Sequence, residues 1–490
     1  MEHVGLSRNQ KRIFLTIILG AFVFRVVLAL ISDNFNHPDE NFQIYEQAHR
    51  LVFGYGLIPW EFRFDVRSWI VPGLVAVILY PFKLLGCDNP NIYTPLTKIF
   101  FGLIAMSLVI SAYFIGKKIS SVKAGLWAAF FCAGWYEIIY FSIRPLSEIW
   151  ATTFFVAAIA LSIKSKDNTQ LIIAGILTAI TAAVRPHYFP VVLLFLIVLF
   201  FINRTHKPIV LYISFIGTII MIGIFEKITI GGFYESYINY FHFSKHFSMA
   251  DTSAGVGIFA FAKQLGQSSM MLVWLFLLVG VTIWRKVWYL ILFVLAALIF
   301  HSALPLKEHI ASIRFIYMVI PLYMIIGGIA LSEILSNFNI RQGPVATTLS
   351  IIFLAVSTCG AFNILPGEKN VYEHNVFHRD PGLSAYKYLY KQNNIKAVFD
   401  NGNFWFLSGG YYYFHRHIPL YFNNMPPPSL NFVSHIVTRE NLYGLDGFEL
   451  KKTFGDISIY SRTDSLFEYP IDYNFDLNMY QPGIDDNRRP

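Results

Sequence analysis

Long apolar runs separated by short polar stretches dominate the chain. A membrane-crossing helix needs about 20 consecutive apolar residues. The pattern predicts about eleven such spans, at 12–32, 97–116, 122–142, 147–164, 171–184, 188–203, 208–229, 268–284, 287–304, 314–335 and 345–365. The first run is too long for a secretory signal peptide and is interpreted as an uncleaved span. Around Arg185-Pro186 two interpretations stay open, two short spans joined by a tight turn or one kinked helix.

The apolar stretch 69–86 decides the orientation of every later span. If it does not cross, the basic loops share one side with the basic N-terminus, which is the arrangement that the positive-inside rule favours. The stretch is therefore predicted to be interfacial or re-entrant, broken by Pro72 and Pro81. The basic residues concerned are Lys117, Lys118, Lys123, Lys164, Lys166, Arg204, Lys207, Arg285, Lys286 and Arg341.

This orientation places the first polar loop, 33–96, and the tail, 366–490, on the non-cytoplasmic side. Residues 1–365 are predicted to form an all-α polytopic membrane domain. In the tail, 396–400 (KAVFD) is typical of a strand and 383–392 (LSAYKYLYKQ) of a short amphipathic helix. The tail is therefore predicted to be a small mixed α/β domain.

Composition supports a membrane protein and argues against a nucleic-acid-binding, zinc-binding or disulfide-stabilised one. Of the 490 residues 55% are hydrophobic and only 14% charged, with a mean hydropathy of +0.50, whereas soluble domains carry about 25% charged residues. The net charge of +8 is explained by cytoplasmic loops and does not indicate nucleic-acid binding. The three cysteines form no CxxC pair, so neither a zinc site nor a disulfide framework is predicted. P-loop, GxGxxG, GxSxG and HExxH motifs are absent from the sequence.

Two adjacent carboxylates follow the first span. Pro38 suits the first position of a helix, which places Asp39 and Glu40 in the first turn. One interpretation is that these acids only complement the helix dipole. The other is that, with His37 beside them, they supply a general base whose pKa is raised by nearby apolar surroundings.

The loop continues as an interfacial segment. Residues 41–53 place apolar side chains at helical spacing, which suits a helix lying in the membrane interface. Glu46 and Arg50, four apart, are predicted to pair on its wet face, and Gly54 ends the helix. Aromatic and charged residues then alternate over 60–69, including Arg67. This pattern suits either a headgroup anchor or a ligand contact, and both interpretations remain open.

Three basic groups are predicted on the same outer side. They are Arg144 with Glu148, Arg185 with His187, and Lys307 with His309 and Arg314. Arg144 and Glu148 are spaced for a pair within one helix, and each cation alone is explained by snorkelling to headgroups. Their shared side favours a common phosphate site, for which arginine is well suited.

The first loop resembles that of a known enzyme family. HPDENFQ (37–43), AHRLVFGYGLIPWEF (48–62) and RSWIVPGL (67–74) are similar to the first luminal loop of glycosyltransferase family 22, which has the GT-C fold. The likeness is greatest to the third-mannose transferases of glycosylphosphatidylinositol (GPI) anchor synthesis and covers about 40 residues. It implies inverting transfer of mannose from a polyprenyl-phosphate or dolichyl-phosphate donor to an acceptor hydroxyl, commonly in α-1,2 linkage.

The resemblance also implies roles for residues of this chain. Asp39 is expected to be the base and Glu40 the second candidate, while arginine and lysine stabilise the leaving lipid phosphate. No metal or other cofactor is then required, and the lipid-linked sugar is a co-substrate. Residues expected to bind substrate are His37, Gln43, Arg67, Arg144, Glu148, Arg185, His187, Lys307, His309 and Arg314. The family's compact His-Lys-Glu-x-Arg-Phe motif is altered here, since Leu306 replaces its histidine and Arg314-Phe315 lies further along.

The expected partners are the lipid-linked donor, a glycan or glycolipid acceptor and the membrane, without nucleic acid. The expected membrane is the bacterial inner membrane with a periplasmic site, if the chain is a bacterial relative, or the endoplasmic reticulum with a luminal site. One alternative function is a transporter or flippase for a lipid-linked or anionic solute, which should show broken helices related by an internal repeat. Another is a non-catalytic scaffold.

Overall fold

A computed structural model gives the architecture, which is mainly helical with a small sheet near the C-terminus. It describes residues 7–35, 37–202, 208–250, 259–303, 313–338, 342–362, 379–402, 408–440, 442, 445–470 and 472–473. The helices up to residue 134 are α1 (Arg8–Ile31), a π-helical segment (Glu40–Tyr45), α2 (Glu46–Phe53), α3 (Trp60–Arg63), α4 (Ile70–Leu84), α5 (Pro90–Ile119) and α6 (Val122–Gly134).

The second group of helices covers the middle of the chain. They are α7 (Tyr136–Ser142), α8 (Ser147–Ser162), α9 (Asn168–Val184), α10 (Phe189–Ile202), α11 (Ile209–Thr229), α12 (Glu235–Ala250), α13 (Ala260–Ser268), α14 (Leu272–Thr282) and α15 (Trp284–Ala303).

The last elements mix helix and strand. They are α16 (Val319–Asn337), α17 (Gln342–Ala361), α18 (Pro381–Tyr390), β1 (Val398–Asp400), α19 (Gly410–Phe414), β2 (Leu420–Phe422), β3 (His435–Thr438), β4 (Phe448–Phe454) and β5 (Ile457–Arg462). Short 3₁₀ turns lie at Pro186–Tyr188, Ile313–Ile316 and Leu430–Phe432.

Within the described residues, each predicted span lies mostly in helix, although 122–142 and 268–284 are each interrupted by a bend. Within the described residues, six helices are long and apolar enough to cross a membrane, namely α1, α5, α11, α15, α16 and α17. Two bent pairs, α6 with α7 and α13 with α14, raise the number to eight if each is one span. Helices α4, α8, α9 and α10 are apolar but shorter. The polytopic bundle is therefore confirmed, and the number of eleven spans stays a prediction.

The chain separates into two compact units. Unit 1 comprises Met1–Leu30, Lys98–Tyr234 and Ser244–Val376, and unit 2 comprises Ile31–Thr97, Glu235–Phe243 and Phe377–Pro490. The first loop thus clusters with the tail in unit 2. The division into 1–365 and 366–490, drawn from the sequence, stays a prediction about domains.

Unit 1 is a helical bundle around α16. This helix is deeply buried and packs on α6 and α14, while α9 packs on both α8 and α11. A Cβ placed on Gly328 of α16 would lie 2.5 Å from the backbone nitrogen of Ala128 in α6. Glycine therefore permits the two backbones to approach closely, as small residues commonly do between membrane helices.

Unit 2 combines the first loop with a five-stranded sheet. The strand order is β2-β1-β3-β5-β4, with β1 parallel to β2 and β3, and β5 antiparallel to β3 and β4. Helix α18 packs against β4 and β5, and α19 packs against α2. The predicted helix at 383–392 and strand at 396–400 are confirmed by α18 and β1, as is the mixed α/β character of the tail.

Three local predictions in unit 2 are wrong. Helix α4 is continuous across Pro72 and Pro81, because Pro72 lies in the first turn, where no backbone partner is lost, and Pro81 lies near the end. The apolar side of 41–53 is buried in protein, with Tyr45 stacked on Tyr412 at 4.5 Å. Glu46 is likewise fully buried and not on a wet face. The interfacial or re-entrant placement of 69–86 stays a prediction.

Candidate active site

Asp39 stands at the entry of the first-loop helix. The helix begins at Pro38, as predicted. Nδ1 of His37 lies 3.2 Å from Oδ1 of Asp39 and 3.3 Å from its backbone nitrogen. The side chains of His37 and Asp39 are 37% and 25% exposed. Asp39 is therefore a partly exposed carboxylate oriented by His37.

Glu40 differs from its neighbour in exposure. It begins the π-helical segment Glu40–Tyr45, and its residue is only 2% exposed. The wider π turn directs successive side chains differently from an α-helix, and such turns are frequent at functional sites. Of the two adjacent acids, Asp39 is the one open to solvent.

Glu61 is a third acid beside this helix and was missed by sequence reasoning. It lies in α3 and is 8% exposed, and Nε2 of Gln43 donates a hydrogen bond to its Oε1 at 2.9 Å. Burial, reinforced by the negative charge of Asp39, raises the pKa of Glu61 to about 7, while Arg67 acts in the opposite direction. We call Asp39, Glu40 and Glu61 with Gln43 the carboxylate cluster.

Arg67 supplies the positive charge near this cluster. Its guanidinium carbon lies 5.7 Å from the ring centre of Tyr240, a cation–π distance. Its Nε is buried and makes no hydrogen bond within the described part of the chain. Arg67 is therefore a partly buried cation whose charge acts on Glu61, and its role as headgroup anchor or ligand contact stays a prediction.

Glu46 holds unit 2 together next to the cluster. Its Oε1 accepts from the backbone nitrogens of Leu57 (2.7 Å) and Tyr411 (3.1 Å), and its Oε2 from that of Tyr412 (2.8 Å). Burial outweighs these hydrogen bonds and raises the pKa of Glu46 to about 7. Gly410 has φ of +58°, and a Cβ there would lie 2.6 Å from Oε2 of Glu46. The hydrogen bonds of Glu46 therefore require glycine at position 410.

The other sequence-predicted cations lie in unit 1. Arg185 and Glu148 form an ion pair of 3.1 Å with side chains at most 5% exposed. Arg185 and Arg314 both lie against the ring of Phe315, at 5.4 and 4.8 Å. We call Glu148, Arg185 and Arg314 the arginine cluster, since the ion pair and the shared ring of Phe315 bring these buried residues together.

The remaining candidates are Arg144 and His187, together with two residues outside the described ranges. Arg144 stacks on the ring of Tyr140 at 4.0 Å. The ring of His187 lies 6.3 Å from that of His301. Lys307 and His309 fall outside the residues that the structure describes. At Arg185-Pro186 the chain forms two helices joined by a turn, which decides between the two interpretations of that segment.

Metal binding has no candidate in the described ranges, where no three His, Cys, Asp or Glu side chains gather as ligands. The carboxylate cluster can accept a proton, and a buried arginine such as Arg185, whose Nε makes no hydrogen bond to a described residue, can bind a phosphate.

Comparison with known proteins gives a family and a fold. The sequence profile of the Alg9-like mannosyltransferase family matches residues 16–379, more than half of the chain. GPI mannosyltransferase 3 of Yarrowia lipolytica is 29% identical over 191 residues, 38% of this chain and 37% of that protein. GPI alpha-1,2-mannosyltransferase 3 of Homo sapiens is 25% identical over 145 residues, 29% of this chain and 26% of that protein. The matches thus span little more than a third of these relatives, or less.

A solved structure shares the architecture. ArnT from Cupriavidus metallidurans, in a crystal structure with undecaprenyl phosphate bound, superposes with a TM-score of 0.60 at 10% identity. The match covers 95% of this chain and 100% of that chain. The expected GT-C fold is confirmed, as is the resemblance on which it was based.

Proposed function

The chain belongs to the Alg9-like mannosyltransferase family, and on that basis we propose that it is a membrane glycosyltransferase. It moves mannose from a polyprenyl-phosphate donor to a hydroxyl of a glycolipid or glycan. The observation that carries the proposal is the placement of Asp39, a partly exposed carboxylate beside His37 at the start of the helix. Its sequence context is the HPDE motif of the family's first loop.

The reaction needs one proton acceptor and one stabilised leaving group. Asp39 takes the proton from the acceptor hydroxyl as its oxygen bonds to C1 of the sugar. The bond from C1 to the phosphate oxygen breaks on the opposite face, which inverts the anomeric configuration and releases polyprenyl phosphate. Glu61 is a positioning residue, because its charge and that of Asp39 act on each other.

The leaving phosphate is assigned to the arginines. Arg185 donates to Glu148 through Nη2, and its Nε is without a hydrogen bond to any described residue. One guanidinium group can donate two parallel hydrogen bonds to phosphate oxygens, and these bonds are stronger in a buried site than in water. ArnT, which has the same fold, binds undecaprenyl phosphate, and this supports a lipid phosphate as the donor here.

The acceptor is proposed from the relatives. Proteins similar to this chain are named GPI mannosyltransferase 3 and GPI alpha-1,2-mannosyltransferase 3. We therefore assign a mannose-bearing glycolipid of the GPI type as acceptor and an α-1,2 link as product. The bent pairs α6 with α7 and α13 with α14 are broken helices of the kind that a transporter would have, but the match to a mannosyltransferase family favours the enzyme.

Product analysis tests the proposal. Purified protein is incubated with polyprenyl-phosphate mannose, labelled in the sugar, and a mannosylated glycolipid. The expected result is a product heavier by one hexose that loses the label to an α-1,2-specific mannosidase. Counterflow of labelled donor in proteoliposomes without any covalent product would refute the enzyme and favour the transporter.

The active site is proposed to face the non-cytoplasmic side. Cys87 follows α4 in unit 2 and is half-buried, whereas Cys132 is buried. In a Cys359→Ser background, a membrane-impermeant thiol reagent should label Cys87 only from the non-cytoplasmic side. Lys123→Cys, in a chain that also carries Cys87→Ser, serves as the control for the opposite side. Labelling of both positions from one side would contradict the orientation.

A further inference from the structure

Unit 1 contains a cavity whose lining residues belong to neither the carboxylate cluster nor the arginine cluster. Its volume is about 460 Å³, and α1, α6, α16 and α17 form its walls. Pockets that bind small molecules commonly have volumes of about 300–1,000 Å³. Most of the wall is apolar, with Ile17, Trp127, Phe130 and Leu335 among the lining residues. No member of the arginine cluster is among the described residues that line it.

Two cations line the same cavity at one end. Arg12 lies near the beginning of α1, and Lys123 is the second residue of α6. Both are exposed. Ile17 lies more than one turn further into α1, and Phe130 about two turns further into α6. The cavity is therefore cationic at the helix ends and apolar toward the middle of the bundle.

The positive charges of Arg12 and Lys123 are not neutralised by an acid among the described residues. The nearby acid of α16, Glu333, accepts from Lys286 at 2.7 Å and is also hydrogen-bonded by Ser120. The ion pairs of the described chain include neither Arg12 nor Lys123. An anion at the mouth of the cavity would therefore meet two available positive charges.

We propose that this cavity binds one anionic phospholipid from the leaflet that contains the N-terminal end of α1. Its acyl chain lies along Ile17, Trp127 and Phe130, and its phosphate faces Arg12 and Lys123. An apolar recess at membrane depth excludes water, and lysine and arginine at a membrane surface attract anionic lipid headgroups. The tail of the polyprenyl donor is a weaker candidate, because an uncharged chain gives no reason for two cations at the mouth.

Quenching of Trp127 by brominated lipids tests this proposal in the full-length protein in nanodiscs. The signal of Trp127 is the difference between the wild type and Trp127→Phe. Phosphatidylglycerol and phosphatidylcholine with the same brominated chains are titrated separately. Each cation near an anionic lipid is worth about a fivefold change in affinity, so we expect about 25-fold preference for phosphatidylglycerol.

The charge variants complete the test. Arg12→Gln with Lys123→Gln should remove most of the preference, whereas Arg285→Gln, an exposed cation outside the cavity wall, should leave it unchanged. Far-ultraviolet circular dichroism confirms that each variant is folded. Equal quenching by both headgroups in the wild type, or a preference that survives the double substitution, would overturn the proposal. Stronger quenching by a brominated polyprenol than by phosphatidylglycerol would also overturn it and assign the cavity to an isoprenoid.

Discussion

Replacing Glu46 by alanine removes the acceptor of three buried backbone N–H groups. These belong to Leu57, Tyr411 and Tyr412, at 2.7, 3.1 and 2.8 Å from the carboxylate. A buried donor left without an acceptor costs about 1–3 kcal/mol. Three of them imply a loss of at least about 3 kcal/mol in the free energy of unfolding of unit 2.

The glutamine variant gives a graded comparison. Its amide oxygen can replace one carboxylate oxygen, but its amide nitrogen then faces an N–H donor. Glu46→Gln is therefore expected to lose about 1–3 kcal/mol, less than Glu46→Ala.

Thermal unfolding in detergent measures both losses. About 3 kcal/mol corresponds to a fall in Tm of about 6–12 °C for a unit of roughly 200 residues. Glu449→Ala is the matched control, since Glu449 is an exposed acid of β4 in the same unit and should change stability by less than about 0.5 kcal/mol. If Glu46→Ala lowers Tm no more than Glu449→Ala, the three hydrogen bonds do not stabilise unit 2.

Three further predictions follow from the same contacts. The folded pKa of Glu46, about 7, exceeds its ordinary value of 4.5, so between these pH values the folded protein binds more protons than the unfolded chain. The free energy of unfolding should therefore fall by about 3 kcal/mol as pH rises from 4.5 to 7. Chemical unfolding of Glu46→Gln, followed over the same pH range, should lack this slope. Glu61→Gln should remove an inflection near pH 7 from the profile of kcat/KM against pH, because the pKa of Glu61 is about 7. An unchanged inflection would show that the ionisation of Glu61 does not affect the reaction. Arg185→Gln should raise the KM for the lipid-phosphate donor about tenfold or more, as expected for a charged hydrogen bond, and an unchanged donor KM would remove Arg185 from the phosphate site.

The membrane helices were predictable because their signal is local. A run of about 20 apolar residues is sufficient to indicate a span, and each predicted run lies mostly in helix where the structure describes it. The start of the first-loop helix at Pro38 and its end at Gly54 were also predictable, since proline suits a first helical position and Gly54 adopts a φ of +90°. The strand at β1 and helix α18 followed from local periodicity in the same way.

The buried acids were not predictable because their surroundings come from distant sequence. Glu46 has the spacing of a surface pair with Arg50, but its partner Tyr411 lies 365 positions along the chain. Glu61 is flanked by aromatic residues, which is typical of an interfacial anchor, and only the fold brings Gln43 to it. Glu148 has the spacing to pair with Arg144, yet its ion pair with Arg185 depends on how α8 packs against α9.

The role of Asp39 as the base is tested most directly by Asp39→Asn in the purified mannosyl-transfer assay. Loss of a general base lowers kcat by about 10²–10⁴-fold, and we expect this loss with little change in the KM for the donor. Asp65→Asn is the matched control, because the same substitution falls in unit 2 at a φ of +51° that asparagine tolerates, and it should retain activity. A folded Asp39→Asn protein that transfers mannose within threefold of the wild-type rate would contradict the assignment.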